Sequence, residues 1–416
     1  MTGMKITNSR IVVTGMGAIT PIGLNAEDFW ENLIAGKCGV TPISRFDTSE
    51  LPVKFAAEVS DFDPLSYMTK KQTREMDLFM QFGYAAASQV LDEYGEIDNP
   101  ERFGLVIGTA LGGIAPIAST QDELSRGIHT KVSPRFIPKI IGNVTAAQIA
   151  IAKGIRGPSL TVSTACSSGG DAISTAAMLI MTGQADAVLV VGAESAISPL
   201  TIRGLASAHA LSTNNEKYEI ASRPFDRDRD GFVMGEGGGA VLLETEEHAL
   251  ARKADIKAEL AGFANSTDGY HITSPHPEGI GAIFCMQGAI KHAEISAEEV
   301  DYINTHGTST PMGDPIEVKA IKQLFGTHAK EIAVNSTKGA TGHMMGAGGI
   351  TEAITCIQAI RTGIVPPTLH LDNVDPACEG LNLVPKEAQK KNVKVAMSNS
   401  FGFGGQNSSV LFKRYA

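Results

Sequence analysis

Four short stretches of this sequence carry side chains able to do chemistry. The first is Ser163-Thr164-Ala165-Cys166-Ser167-Ser168-Gly169-Gly170. An apolar strand pattern ends there, and residues 171–181 continue as a helix with no charge after Asp171. A helix apolar all round is buried. Cys166 therefore falls at the start of a buried helix, where unpaired N–H groups and the positive dipole end favour thiolate over thiol. Its small neighbours leave room for a substrate, and the chemistry expected is nucleophilic attack through a covalent intermediate. For a cysteine taken singly, an inert buried thiol is the plainer reading.

The second stretch, Asn304-Thr305-His306-Gly307-Thr308-Ser309-Thr310, follows a strand pattern directly and aims a ring nitrogen of His306 outward; a structural histidine bonded to backbone is the alternative. The third, Asn335 to His343, also follows a strand and precedes an apolar helix containing Glu352. A lone Glu in an apolar helix needs a partner. Lys338 is the natural candidate, and such a pair can equally be structural. The fourth, Asn399-Ser400-Phe401-Gly402-Phe403-Gly404-Gly405, suits a turn whose backbone N–H groups point at an anion, or a glycine turn with aromatics in the core.

The elements that must position these groups alternate. Strand patterns lie at 11–14, 103–107, 159–163, 187–191, 300–304, 331–335 and 393–398, with helix patterns at 72–91, 167–181, 280–292, 315–325 and 348–361. This alternation predicts an α/β fold. In such sheets ligands sit beyond the carboxyl ends of strands, which is where all four stretches fall. A strand, polar turn and buried helix occur twice, around Cys166 and around His343. That echo predicts two related halves joined near 246–258, the halves being 1–254 and 255–416.

Composition removes other classes. The 416 residues include 43% hydrophobic and 19% charged, an ordinary globular balance with material for a large core. A net charge of -10 argues against a nucleic-acid binder, and an acidic partner could dock only on a local basic patch. The five cysteines are widely spaced without C-x-x-C, so neither a disulfide framework nor a structural zinc site is expected. The N-terminal segment 1–17 imitates a leader peptide, but its apolar part is short and broken by Gly, and reads as a first strand in a cytoplasmic protein without a membrane span. Gly15-Met16-Gly17 lacks the third glycine of a dinucleotide fingerprint, and Walker, H-E-x-x-H and G-x-S-x-G motifs are absent. Between 213 and 230 the chain is charge-dense, suited to a solvated loop or to an ion-pair network.

Taken together, Thr164-Ala165-Cys166-Ser167-Ser168, the His306 motif, Ser336-Thr337-Lys338 through Gly342-His343, and Ser400 to Gly405 resemble the β-ketoacyl-[acyl-carrier-protein] synthases, closest to the elongating type II enzyme. The resemblance covers nearly the whole chain, including Val12 to Gly17, Ala221 to Asp226 and Arg229 to Phe232. It implies a thiolase-like duplicated fold with a five-layered α-β-α-β-α core, usually homodimeric. It further implies an acyltransferase of fatty-acid synthesis that needs no metal or organic cofactor, the phosphopantetheine arriving on acyl carrier protein.

By the same resemblance, Cys166 accepts the acyl group, and its N–H and that of Phe403 form the oxyanion hole. His306 and His343 hold the malonyl thioester and the enolate. Lys338, Glu352 and Asp314 are supports. Thr308 and Thr310 flank the pantetheine arm, Thr273 and Ser274 its entry, and Phe232 and Phe401 line the substrate site. Phe403 is the gate and Leu111 limits acyl depth. Lys70, Lys71, Arg74 and Lys131 form the expected carrier-docking patch.

The chain departs from the family pattern at His209 and Thr130, where Arg is frequent, at Gln406 and at Ala110, which bear on docking and chain length. A thiolase would need a second cysteine near the C-terminus, beyond Cys378. A starter-unit synthase would pair Cys-His-Asn. A chain-length factor lacks the nucleophile. A ketosynthase of a dissociated polyketide pathway and a non-enzymatic acyl or carrier-protein binder remain as alternatives.

Overall fold

The computed structural model describes residues 9–416. The beginning of the leader-like segment, residues 1–8, lies outside that range. From Ile11 the segment is a strand, as its β-branched run predicts.

Ten strands form the main sheet: β1 (Ile11–Ile19), β2 (Phe103–Gly108), β3 (Ser159–Val162), β4 (Ala187–Glu194), β5 (Gly237–Thr245), β6 (Ala258–Thr267), β7 (Tyr302–Asn304), β8 (Ala333–Asn335), β9 (Val395–Phe401) and β10 (Gln406–Lys413). Their order is β8-β7-β9-β10-β6-β1-β5-β4-β2-β3. Read outward from its middle, the sheet repeats itself. β1-β5-β4 is antiparallel, then β4-β2-β3 parallel; β6-β10-β9 is antiparallel, then β9-β7-β8 parallel. The two runs meet where Ile11, Val12 and Val13 pair with Leu260, Glu259 and Ala258. A duplicated fold is therefore visible in strand order and direction.

Six helices set the layers: α1 (Leu78–Tyr94), α2 (Val144–Lys153), α3 (Ser168–Met181), α4 (Ile280–His292), α5 (Gly313–Phe325) and α6 (Gly348–Thr362). Side chains alternate faces along a strand. In β4, Val188 and Val190 enter a central core with Ala172 and Ala176 of α3 and Ile350 and Ile354 of α6. Leu189 and Val191 enter an outer core with Phe79 and Ala86 of α1 and Ile149 of α2. In β9, Ala396 faces the central core and Met397 a third core with Met286 of α4 and Ile321 of α5. The result is five layers, with α3 and α6 between the two halves of the sheet. The starts of these two helices touch: a Cβ on Gly169 would stand 3.0 Å from Cα of Gly349. That close approach brings the Cys166 turn against the turn after His343.

The helix expected at 72–91 is two helices, Lys70–Glu75 and α1. Met76 is extended and buried, so the chain turns inward and α1 begins afresh after Asp77. Strands β5, β6 and β10 escaped the sequence pattern. Gly237-Gly238-Gly239 is strand packed directly on α1: a Cβ on Gly238 would lie 2.6 Å from the Phe82 carbonyl oxygen. The charge-dense segment is an ion-pair network. Buried Arg229 reaches Asp375 at 2.7 Å and Asp314 at 3.6 Å, and Arg223 reaches buried Asp226 at 3.0 Å. Among the described residues no helix is long and apolar enough to cross a membrane.

Candidate active site

Strand β3 ends at Val162, and the chain reverses through Ala165, whose φ of 52° lies in the left-handed region. A 3-10 turn, Ala165–Ser167, then leads into α3. The second half uses the same device: Met345 has φ 45°, and the turn Met345–Ala347 leads into α6. Non-glycine residues rarely hold this conformation. Its recurrence at corresponding places, one beside Cys166 and one beside His343, marks both as positions that the packing enforces.

Cys166 is half-buried and lines a pocket. Burial pushes its thiol up to about 11; the Phe403 N–H, the Lys338 charge and its own N–H oppose this. Burial thus opposes the preference for thiolate expected from the helix start. The backbone groups that favour the thiolate are those of Phe403 and Cys166, the pair expected to form an oxyanion hole. Gly402 lets the Phe403 turn lie against the Cys166 turn, since a Cβ there would lie 2.7 Å from the Thr164 carbonyl oxygen.

His306 follows β7 and His343 follows β8 and a short helix, Lys338–Thr341. One ligating atom from each of Cys166, His306 and His343 lies within 4.8 Å of the others. The two rings stand edge to face with centroids 5.3 Å apart. Phe232 packs edge-on to His343 at 5.2 Å, and Phe401 lies 5.9 Å from His306. Neither ring nitrogen of His343, nor Nδ1 of His306, has a hydrogen-bond partner among the described residues. Burial, then the charge of Lys338, holds both imidazoles well below the ordinary histidine range, so they are neutral. A neutral imidazole keeps one N–H donor and no net charge.

Behind them, buried Lys338 pairs with buried Glu352 of α6. Asp314, at the start of α5, accepts from Phe225 N at 2.8 Å and Ser309 N at 3.1 Å, and burial raises it to about 6. Two carboxylates missed by the sequence reading are equally embedded. Glu317 accepts from the N–H groups of His306 at 2.9 Å and Gly307 at 2.8 Å. Glu194 accepts from Ala110 N at 2.6 Å, Leu111 N at 3.1 Å and Gly346 N at 3.2 Å. Burial raises both to about 7.

The pocket has a volume of about 460 Å³. Its walls include Leu111, Phe232, Thr273 and Ser274, and also Thr308, Thr310, Phe401 and Phe403. Thr308 and Thr310 share a hydrogen bond of 3.0 Å. Lys338 and Glu352 lie behind the lining. His209, expected in connection with docking, stands on the pocket wall with φ 53°, and Ala110 lines it as well. Gln406 acts through its backbone oxygen, which accepts from Ser167 Oγ and Gly402 N, each at 2.7 Å. Lys70, Lys71 and Arg74 are exposed on the short helix Lys70–Glu75, and Lys131 is exposed; none lines the pocket. Cys378 is buried in the outer core of the second half, away from the pocket.

The family described as "Beta-ketoacyl synthase" matches with its N-terminal domain at residues 8–249 and its C-terminal domain at 257–372. The 3-oxoacyl-[acyl-carrier-protein] synthase 2 of Coxiella burnetii is 46% identical over 97% of this chain and 98% of its own length. That of Vibrio cholerae is 45% identical over 98% and 100%. Among solved structures, a β-ketoacyl synthase from Burkholderia phymatum superimposes with TM-score 0.91 at 33% identity, covering 98% of this chain and 100% of that one. A type II polyketide ketosynthase in complex with its acyl-carrier protein superimposes with TM-score 0.87 at 29% identity, over 99% and 100%.

Proposed function

Since the chain belongs to the β-ketoacyl synthase family, we propose that it elongates fatty acids as a 3-oxoacyl-[acyl-carrier-protein] synthase of the second type, through Cys166, His306 and His343. The observation that carries the site assignment is the convergence of one thiol and two imidazoles, within 4.8 Å of one another, in the lining of one pocket.

In this reading the Cys166 sulfur attacks the carbonyl of an acyl thioester. The oxyanion is held by the N–H groups of Cys166 and Phe403. The bond to the pantetheine sulfur breaks, and the thiol proton, passed through a neighbouring imidazole, leaves with that sulfur. Malonyl thioester then enters. His306 and His343 each donate an N–H to its carbonyl oxygen as the bond to the carboxylate breaks, and the electron pair becomes the enolate. Phe232 and Phe401 beside the imidazoles keep water from the carboxylate, which favours loss as uncharged CO2. The carbanion attacks the acyl-Cys166 carbonyl, and collapse expels the sulfur, which recovers a proton. Neutral imidazoles suit this role, because they stabilise developing charge without holding a permanent ion pair with the substrate. No step calls for a metal or organic cofactor.

An acyl carrier protein is the partner that the exposed Lys70, Lys71 and Arg74 suit, being a local basic cluster on a chain of net charge -10. In this reading the protein works in the cytoplasm as a homodimer. The fatty-acid reading is favoured over a polyketide one by the relatives named synthase 2, at 42–46% identity.

Incubation with carrier protein bearing a labelled acyl group should place the label on Cys166; absence of transfer would sink the reading. Cys166→Ala should abolish condensation yet still release CO2 from malonyl carrier protein, because the histidines remain. His306→Ala retaining wild-type condensation would remove that imidazole from the mechanism.

A further inference from the structure

A thiol and two imidazoles form a ligand set for a soft or borderline divalent cation as well as a catalytic triad. Here the three ligating atoms lie within 4.8 Å of one another. Tetrahedral zinc, with bonds of about 2.3 Å to sulfur and 2.0 Å to nitrogen, asks for ligand atoms about 3.3–3.6 Å apart. Contraction by about 1 Å therefore closes the site, within reach of small side-chain rotations. Nothing pins the His343 ring by hydrogen bonding: both of its nitrogens are buried and unpartnered among the described residues. The pocket above leaves a fourth position open to water or a thiol. The adjoining Lys338 charge is already offset by Glu352.

We propose that Cys166, His306 and His343 form a reversible zinc site that inhibits the enzyme. On binding, the Zn–S bond replaces the S–H bond and the proton passes to solvent; each imidazole contributes a lone pair, and nothing is oxidised or reduced. The metal occupies the ring nitrogens that would hold a malonyl carbonyl, so zinc and malonyl thioester exclude one another. Dedicated metal sites orient each histidine through a hydrogen bond from its other nitrogen. His343 has no such partner, so this is a site of exchangeable inhibition and not of a resident cofactor.

The test is a titration of the full-length reduced protein with Zn2+ against a fluorescent zinc indicator, with Co2+ as a spectroscopic substitute. Binding is read directly, so its outcome stands apart from that of the condensation assay. One equivalent per chain is expected, with malonyl thioester competing. Affinity should fall at least about 100-fold in Cys166→Ala, more than loss of an outer-shell contact costs. The same loss is expected in wild-type protein alkylated at Cys166. Cys38→Ser, altering the other partly exposed cysteine, should bind as wild type. Bound Co2+ should show tetrahedral absorption with a thiolate charge-transfer band. Failure to bind, unchanged binding after alkylation and in Cys166→Ala, or loss in Cys38→Ser would each overturn the proposal.

Discussion

Glu317 positions an imidazole without touching it. Its carboxylate takes the backbone N–H groups of His306 and Gly307, fixing where the chain leaves β7 and so where the ring stands. The cost is a buried carboxyl raised by desolvation to about 7 from an ordinary value of 4.5. A carboxyl raised on folding favours the folded state below its unfolded pKa and loses that advantage as pH climbs through the folded value. For Glu317 the window is therefore about pH 4.5 to 7. Glu317→Gln, which keeps an acceptor oxygen and removes the charge, should gain thermal stability relative to wild type as pH rises from 5 to 8. At the same time His306 loses one of its anchors, and kcat should fall more than KM changes. Melting curves at several pH values check the first expectation and steady-state kinetics the second. A pH-independent difference in melting temperature would show that Glu317 does not titrate in this range.

At the scale of elements, two helix starts and two strand exits hold the site, and Lys338 with Glu352 ties one of each together. Removing one member of a buried ion pair leaves the other uncompensated, at a cost of about 3–5 kcal/mol. Lys338→Ala should therefore destabilise the fold by about that amount, while Lys338→Met combined with Glu352→Leu recovers most of it without recovering activity. Denaturant unfolding of both variants distinguishes a charge penalty from lost packing. The loop after β2 is held from beneath by Glu194, which presents Leu111 to the pocket. Leu111→Phe should shorten the longest acyl chain accepted, read by product analysis over a ladder of acyl carrier substrates; unchanged product lengths would remove Leu111 from the pocket floor. The four strand exits were legible in the sequence because each joins an apolar run to a polar, glycine-rich turn within about ten residues. Glu194 and Glu317 were not. Their partners are backbone N–H groups brought from other parts of the chain, and no spacing of side chains reveals those. Likewise the glycines of β5 acquire meaning only once α1 lies on them. The burial that opposes the Cys166 thiolate was hidden for a related reason: the helix start is local and legible, whereas the depth of burial depends on the assembled halves.

On the scale of the whole molecule, the sheet ends on one side at β3, where Ser159, Leu160 and Thr161 are exposed and the outer edge has no strand beside it among the described residues. An open edge invites another strand. Leu160 on this edge exposes 45% of its surface, and earlier in the chain Ile128, Val132 and Ile137 expose 54%, 45% and 57%. A second copy related by a two-fold axis through β3 would cover the edge by pairing it antiparallel with itself, joining the two sheets into one. Leu111 of the pocket wall, 45% exposed in the single chain, is the residue through which such a contact would reach the pocket. Leu160→Arg places a charge on the axis opposite its own copy, where repulsion is unavoidable. Sedimentation equilibrium should then shift from a two-chain to a one-chain mass, and the acyl-length limit should loosen while malonyl decarboxylation, which needs only the histidines of one chain, continues. A two-chain mass in Leu160→Arg would place the contact on another face. A one-chain mass with an unaltered length limit would separate dimerisation from the pocket.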